Sequence, residues 1–77
     1  MVNKEFMKKK NELTKKYFDQ VAGISEFNDV DLDVAFEMLL ANARNRGKGY
    51  PLYEGCGEMD YDLFDVDVAA LDALRRV

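Results

Sequence analysis

Apolar side chains recur every three or four residues through most of this sequence, and that spacing is typical of amphipathic helices. The first segment predicts a helix over residues 4–22, with Gly23 as its stop. One charged residue, Lys10, interrupts its apolar stripe. The stripe consists of Phe6, Leu13, Tyr17, Val21 and Ile24. We therefore expect one face of this helix to pack against a core.

A second helix is predicted over residues 29–46, and Gly47 ends it. Its N-cap is Asn28 or Asp29. The stripe expected to face the core contains Leu32, Ala35, Phe36, Leu39, Leu40 and Ala43. A second apolar stripe, on nearly the opposite side, contains Val30, Val34, Met38 and Ala41. A helix that is apolar on two sides is either enclosed by its neighbours or presents one stripe to another chain, so the second stripe is a candidate homodimer contact.

The start of this second helix has a competing interpretation. Residues 29–34 alternate between aspartate and an apolar residue, which is the period of a strand. The residues that follow, from Ala35 to Ala43, favour a helix, so we assign the whole segment to a helix.

The remainder of the chain predicts a turn-rich segment and a last helix. Residues 47–57 contain four glycines and the one proline of the chain, and residues 50–63 alternate with aromatic side chains in the manner of a short β-hairpin. The last helix is predicted over residues 65–77, with Leu71 and Leu74 facing inward and Asp72 outward. The sequence thus predicts one mainly α domain over residues 1–77, a small three-helix domain with a short β-hairpin as an optional element between helices two and three.

Composition narrows the chemistry that such a domain can perform. The 77 residues include no histidine, which removes the usual general base and the commonest metal ligand. Cys56 lies between two glycines, where we expect an exposed turn, without a histidine to activate it. Residues 29–33 copy the first aspartates of an EF-hand loop, but Val34 and Leu40 occupy the positions that require glycine and glutamate. We expect no enzyme activity, no cofactor and no metal site.

The charged residues are sorted into blocks along the chain. The net charge of −4 divides into +4 over residues 1–16, −6 over 17–43, +3 over 44–48, −7 over 49–74 and +2 at the end. The acidic residues proposed to form one partner-binding face are Asp29, Asp31, Asp33, Glu37, Asp60, Asp62, Asp65 and Asp67. The aromatic residues proposed to anchor a partner are Tyr53, Tyr61 and Phe64. Sorting of this kind indicates a molecule with an electrically polarised surface.

Carboxylates one helical turn apart stand about 6 Å apart along the axis, which is of the order that separates neighbouring phosphates on one DNA strand. We therefore predict a non-catalytic protein-binding module, an inhibitor or modulator of a nucleic-acid-handling protein, whose acidic face mimics DNA and meets a basic partner. Small size and acidity are shared with many phage-encoded inhibitors of host proteins, which is a resemblance of kind. One alternative is a small structural or assembly subunit that homodimerises through the second apolar stripe. Another is a weak nucleic-acid binder that uses Lys4, Lys8 and Lys15 of the first helix, which the overall acidity makes the less favoured hypothesis.

The location of the protein is predicted from what its apolar segments lack. The lysines near the start are not followed by an apolar run of signal-peptide length. The longest apolar stretch is far short of a membrane span. The expectation is a cytoplasmic protein that does not enter a membrane.

Overall fold

The computed structural model describes residues 3–75 and contains four helices in that range. Their bounds are α1 Lys4–Lys16, α2 Phe18–Asn28, α3 Leu32–Arg46 and α4 Tyr61–Arg75. Helix α1 packs against α2 and α4, and α3 also packs against α2 and α4, so the helices form a closed ring around one core. The prediction of a mainly α domain is confirmed, and the predicted count of three helices is wrong.

The fourth helix arises because the predicted first helix is two helices. The backbone departs from helical geometry at Tyr17 (φ −110°, ψ 34°), which ends α1 and begins α2. The apolar stripe nevertheless continues across the break, since Leu13, Tyr17, Val21 and Ile24 are all buried. Periodicity therefore could not reveal the break. Helix α1 packs against α4, whereas α2 packs mainly against α3. The bend at Tyr17 allows each of the two helices to lie against its own neighbour.

Gly23, the predicted stop, lies in the middle of α2. Its role is close packing: a Cβ atom there would fall far inside the contact distance of the Gly55 carbonyl oxygen, which belongs to the loop that crosses α2. In the reverse direction, a Cβ on Gly55 would lie 2.6 Å from the Gly23 oxygen and 2.7 Å from the Phe27 Cβ. The glycine pair lets two backbones touch, so glycine here marks a crossing rather than a helix end.

Helix α3 begins three residues later than predicted. The Asp31 side chain is the N-cap and accepts a hydrogen bond from the Val34 N–H at 3.0 Å. Asp29, a predicted N-cap, instead ends α2 in the left-handed conformation, with φ 55°. Aspartate tolerates this conformation better than most residues, because its short polar side chain is compatible with it. Of the alternating residues, 29–31 therefore form the junction between α2 and α3, and 32–34 form the first turn of α3.

No strand is present between residues 3 and 75, so the hairpin expected over residues 50–63 is not formed there. Residues 47–60 form an irregular loop, which is fastened to the helices by side chains instead of by a second strand. Asn42 is fully buried. Its side-chain NH₂ group donates to the backbone carbonyl oxygen of Tyr53 at 3.1 Å, and its side-chain oxygen accepts from the backbone N–H of Tyr53 at 2.7 Å. The Asn28 side chain donates to the backbone carbonyl oxygen of Glu54 at 3.0 Å, and the Gln20 side chain donates to that of Glu58 at 3.2 Å. These bonds satisfy carbonyl groups that a partner strand would otherwise satisfy.

Helix α4 begins four residues before the predicted start. Asp60 accepts a hydrogen bond from the Leu63 N–H at 3.1 Å and thereby caps the helix. Leu71 is fully buried, whereas Leu74 and Asp72 are half-buried. The predicted last residue, Val77, lies outside the described residues. Because α4 begins at Tyr61, Phe64 is part of the helix and its ring packs in the core, whereas the prediction placed it before the helix.

The core lies at the centre of the ring of helices. Tyr17 and Phe64 meet edge to face, with ring centroids 4.8 Å apart. The other core residues are Leu13, Val21, Ile24, Ala35, Phe36, Leu39, Leu40, Cys56, Val68 and Leu71. Within the α3 stripe that was expected to face the core, two residues behave differently: Leu32 is 40% exposed, because it lies in the first turn of the shortened α3, and Ala43 is only half-buried.

Candidate protein-binding surfaces

Three of the acidic residues predicted to form the binding face are engaged in ion pairs between helices. Glu37 pairs with Lys10 at 3.1 Å. Asp65 pairs with Arg46 at 2.9 Å. Asp67 pairs with Lys16 at 2.8 Å. These carboxylates are already partly neutralised by the chain's own cations, which reduces what they can offer to an external basic group.

Asp67 is the most firmly held of these carboxylates. It also accepts a hydrogen bond from the Tyr17 hydroxyl at 2.5 Å. Burial by itself would raise the pKa of the Asp67 carboxyl, but the hydrogen bonds from Lys16 and Tyr17 outweigh it and hold the pKa below its usual value. Burial, together with the bond to Asp67, raises the pKa of Tyr17. The bonds from Lys16 and Tyr17 to Asp67 join the end of α1 to α4, so we assign Asp67 a structural role.

The eight predicted acidic residues lie in two groups. The loop runs along α2 from its end, where Asn28 binds Glu54, to its start, where Gln20 binds Glu58. Eight residues of helix separate Gln20 from Asn28, which is about 12 Å. One group, residues 29–33, directly follows the end of α2, with Glu37 further along α3. The other group lies near the start of α2, where Asp60 lines a cleft with Gln20 and Asp67 pairs with Lys16. The structure therefore separates the two groups instead of merging them into one line.

At the end of α2, residues 29–33 are joined by two further acidic residues in what we call the acidic corner, which consists of Glu26, Asp29, Asp31, Asp33 and Glu54. All five side chains belong to exposed residues, and none takes part in an ion pair within residues 3–75. Glu54 joins the corner because its backbone is bound by Asn28. The exposed fractions of the apolar side chains beside the corner are 63% for Phe27, 40% for Leu32, 45% for Val34 and 48% for Tyr53.

Sequence reasoning missed part of this surface. It included Asp29, Asp31 and Asp33 but not Glu26, Glu54 or Phe27. The available signal was the Glu26-Phe27 pair directly before the run of aspartates. It was overlooked because the predicted first helix ended before it, whereas α2 continues to Asn28 and carries the pair to the junction.

The three predicted aromatic anchors have different surroundings. Tyr53 is 48% exposed and lies beside the acidic corner. Tyr61 is half-buried beneath the Arg46 guanidinium, which lies 4.7 Å from the ring centroid. Phe64 is fully buried against Tyr17, so its ring cannot contact a partner, and the prediction of an anchor there is wrong. The late assignment of the α4 start caused that error.

An open cleft of about 650 Å³ lies at the start of α4. Its lining consists of Gln20, Gly57, Glu58, Met59, Asp60 and Tyr61. Cys56, expected to be exposed, is buried behind it; its sulfur lies 3.7 Å from the Tyr61 hydroxyl and 3.9 Å from the Met59 sulfur. Burial and the bond to Cys56 raise the pKa of Tyr61 to about 12. Tyr61 therefore keeps its proton to a higher pH than an exposed tyrosine does.

The second apolar stripe is only partly free, and Val30, one of its predicted members, lies before α3 in the junction. Val30 and Met38 are half-buried and pack against the core, and Ala41 is half-buried as well. Val34, at 45%, is its one exposed member. The stripe therefore contributes to the domain's own packing as well as to its surface.

Helix α4 carries an apolar surface that the sequence analysis did not identify. Its inward side contains Phe64, Val68 and Leu71, all buried. The apolar residues on the opposite side, which we call the α4 outer face, are Leu63, Val66, Ala69, Ala70 and Ala73, and all are exposed. The exposed fraction of the side chain is 47% for Leu63 and 66% for Val66. A helix that is exposed on one side ordinarily carries polar residues there, so this face is an interaction surface candidate.

The lysines of α1 lie among acidic neighbours. A small groove is lined by Glu5, Lys8, Lys9, Glu12 and Leu74. Lys4, Lys8 and Lys15 are exposed, whereas Lys10 and Lys16 are engaged in ion pairs. The positive charge of this helix is therefore offset along part of its length.

In residues 3–75, no three side chains of histidine, cysteine, aspartate or glutamate come together as a metal ion would require. None of the helices in the described range combines the length and apolar character needed to cross a membrane. Comparison of the chain with protein-family models, with curated proteins and with solved structures finds no match.

Proposed function

We propose that this chain is a non-catalytic module that binds a basic segment of another protein at the acidic corner. The observation that carries the proposal is the combination of five exposed carboxylates, none engaged in an ion pair within residues 3–75, with exposed apolar side chains beside them. Phe27, at 63% exposure, is the most exposed of these apolar side chains. A partner that presents lysine or arginine around an apolar residue matches both features.

The two kinds of residue have separate roles in this proposal. The carboxylates attract the basic partner from a distance and speed its approach, and salt weakens that attraction. Phe27 and Tyr53 lose contact with water on binding and supply affinity at short range. The hypothesis that the partner handles nucleic acid, and that the corner takes the place of its phosphates, stays a prediction.

The test uses substitutions that remove charge without disturbing the fold. Asp29 and Asp33 are replaced together by asparagine. Asn at position 29 keeps the left-handed conformation, and Asp31 is left intact because it caps α3. The control is Asp19→Asn, which removes an exposed aspartate from the first turn of α2, away from the corner. All variants should retain the helical content and thermal stability of the parent chain within about 0.5 kcal/mol.

The measurement begins with capture of proteins from the native host's lysate on immobilised chain, followed by mass spectrometry. Each captured protein is then purified and titrated against the variants at two salt concentrations. We expect a basic partner whose affinity falls about tenfold with Asp29→Asn/Asp33→Asn, falls with rising salt, and is unchanged with Asp19→Asn. A partner whose affinity ignores the double substitution and salt would refute the acidic corner as the binding site.

Phe27→Ser tests the apolar half of the proposal. The side chain is largely exposed, so its removal should leave the fold in place while weakening the same complex, with little change in its salt dependence. Binding of DNA or RNA by the free chain at low salt, abolished by charge removal at Lys4, Lys8 and Lys15, would favour the nucleic-acid-binding alternative instead.

A further inference from the structure

We infer that the α4 outer face binds a second copy of this chain, with the two α4 helices antiparallel across a two-fold axis. The inference is independent of the proposed function, because it uses a different surface. It starts from the exposure of Leu63, Val66 and the three alanines, which lie on the side of α4 away from the core. They extend over eleven residues, from Leu63 to Ala73, or about 15 Å of helix.

The order of residue sizes along the face supports a second copy as the occupant. The larger side chains, Leu63 and Val66, lie in the first half of the face, and Ala70 and Ala73 lie in the second half. In an antiparallel pair Leu63 meets Ala73 of the second copy, and Val66 meets its Ala70. Each large side chain then lies over a small one, which is the complementarity that close helix packing needs. A parallel pair would bring large residues together and leave the alanines apart.

The charges around the face also favour a second copy. Asp65 and Asp72 on one border are paired with Arg46 and Arg44, and Asp67 on the other border is paired with Lys16. Two copies that each carry a net charge of −4 repel each other in general, so they associate best where the acidic residues are neutralised. The face therefore suits an apolar, electrically neutral surface and not a basic one.

One charged residue, Asp62, lies on the exposed side of α4 near the first residue of the face. It takes part in no ion pair within residues 3–75. The antiparallel pairing places it at the end of the contact, beside the last turn of the second copy's α4, whose Arg75 lies over the Phe6 ring of its own chain, 4.9 Å from the ring centroid. Opposite helix ends also meet, so the helix dipoles attract. Burial between copies supplements the core of a short chain, which hides only about 60% of its unfolded surface.

The first experiment measures mass in solution by sedimentation equilibrium over a wide range of chain concentrations. We expect a species of twice the 8.8 kDa chain mass, which persists at raised salt because its contact is apolar. Val66→Glu should raise the dissociation constant by more than about tenfold, because a symmetric interface carries the substitution twice. The matched control is Val34→Glu, an exposed valine on α3, which should leave the dimer intact.

A second set of variants tests the antiparallel pairing and does not depend on the fold tolerating a charge. Val66→Ala removes the large member of the pair, and Ala70→Val places two valines against each other, so each alone should weaken the dimer. The double substitution exchanges the two sizes and should restore the association that the single changes lose. Circular dichroism checks that all variants keep the parent's helical content.

Three outcomes would overturn the inference. A chain that stays monomeric at every concentration has no such contact. A dimer that survives Val66→Glu but is lost with Val34→Glu uses the second apolar stripe of α3. A monomer whose α4 outer face instead binds a different protein, with loss of that complex on Val66→Glu, assigns the face to another occupant. Failure of this inference leaves the acidic corner untouched, because none of its variants changes Asp29 or Asp33.

Discussion

Replacement of Gly23 by alanine should change the free energy of unfolding in two opposite ways, and the size of each can be estimated. Gly23 lies within α2, where alanine ordinarily stabilises a helix by about 1 kcal/mol because it has less backbone freedom to lose. The added methyl group, however, would enter the Gly55 carbonyl group of the crossing loop. The obstacle is backbone, not the flexible end of a side chain, so the loop itself must move.

The second effect is expected to exceed the first. Overpacking of a tight contact costs about 1–3 kcal/mol. Movement of the loop also weakens the hydrogen bonds that fasten it to α2, from Gln20 to Glu58 and from Asn28 to Glu54, and each is worth about 1 kcal/mol. After the gain in helix propensity is subtracted, we expect Gly23→Ala to lower the free energy of unfolding by about 1–2 kcal/mol. For a domain of this size that lowers the melting temperature by roughly 5–15 °C.

The assay is thermal and urea unfolding followed by circular dichroism. Gly47→Ala is the matched control: this glycine has φ −71°, and a Cβ there would meet no atom within 4 Å, so the change should be neutral or stabilising by up to about 1 kcal/mol. Gly55→Ala should destabilise more than Gly23→Ala, because φ is +104° and the new methyl group meets both Gly23 and Phe27. A Gly23→Ala chain as stable as the parent would refute the backbone crossing.

Two further predictions concern polar side chains that join separate segments of the fold. Asp67→Asn should lower the free energy of unfolding by about 1 kcal/mol at neutral pH, because it removes the charge that Lys16 and Tyr17 bind. The pKa of Asp67 is held below its usual value, so this stabilisation is complete above about pH 4 and is lost as the pH falls through the lower folded value; unfolding measured against pH should show the two chains converging in acid, and a constant difference would contradict it. Asn42→Ala should lower the free energy of unfolding by about 1–3 kcal/mol, because it frees both backbone groups of Tyr53, and amide hydrogen exchange should show faster exchange at Tyr53; unchanged protection there would contradict the role of Asn42.

Apolar periodicity was sufficient to predict the helical class and much of the core. The stripe that includes Leu13, Val21 and Ile24 is buried as expected, since a helix face that repeats every 3.6 residues has to cover something. Periodicity could not find the bend at Tyr17, because the apolar stripe continues through it. The bend depends on α1 and α2 packing against different helices, which is a long-range property.

The sequence predicted that the protein has an acidic surface, but it did not predict which residues form the candidate surfaces. The counts of charge identified acidic segments, and residues 29–33 do form part of the acidic corner. Which carboxylates are neutralised depends on which helix brings Lys10, Lys16 or Arg46 beside them, and neighbours distant in sequence decide that. The α4 outer face was missed for a related reason: valine and alanine in a helix are equally compatible with burial, and only the positions of α1 and α3 determine which side stays open.

The amino-acid sequence by itself determined that this protein is mainly helical, that its charges are sorted into blocks and that it has no histidine. These properties depend on local preference and on composition. The tertiary structure alone decided the role of Gly23, the burial of Phe64 and Cys56, and which carboxylates are paired with a lysine or arginine. All of these depend on contacts between distant segments, and the same glycine, phenylalanine or aspartate has a different role according to what the fold places against it.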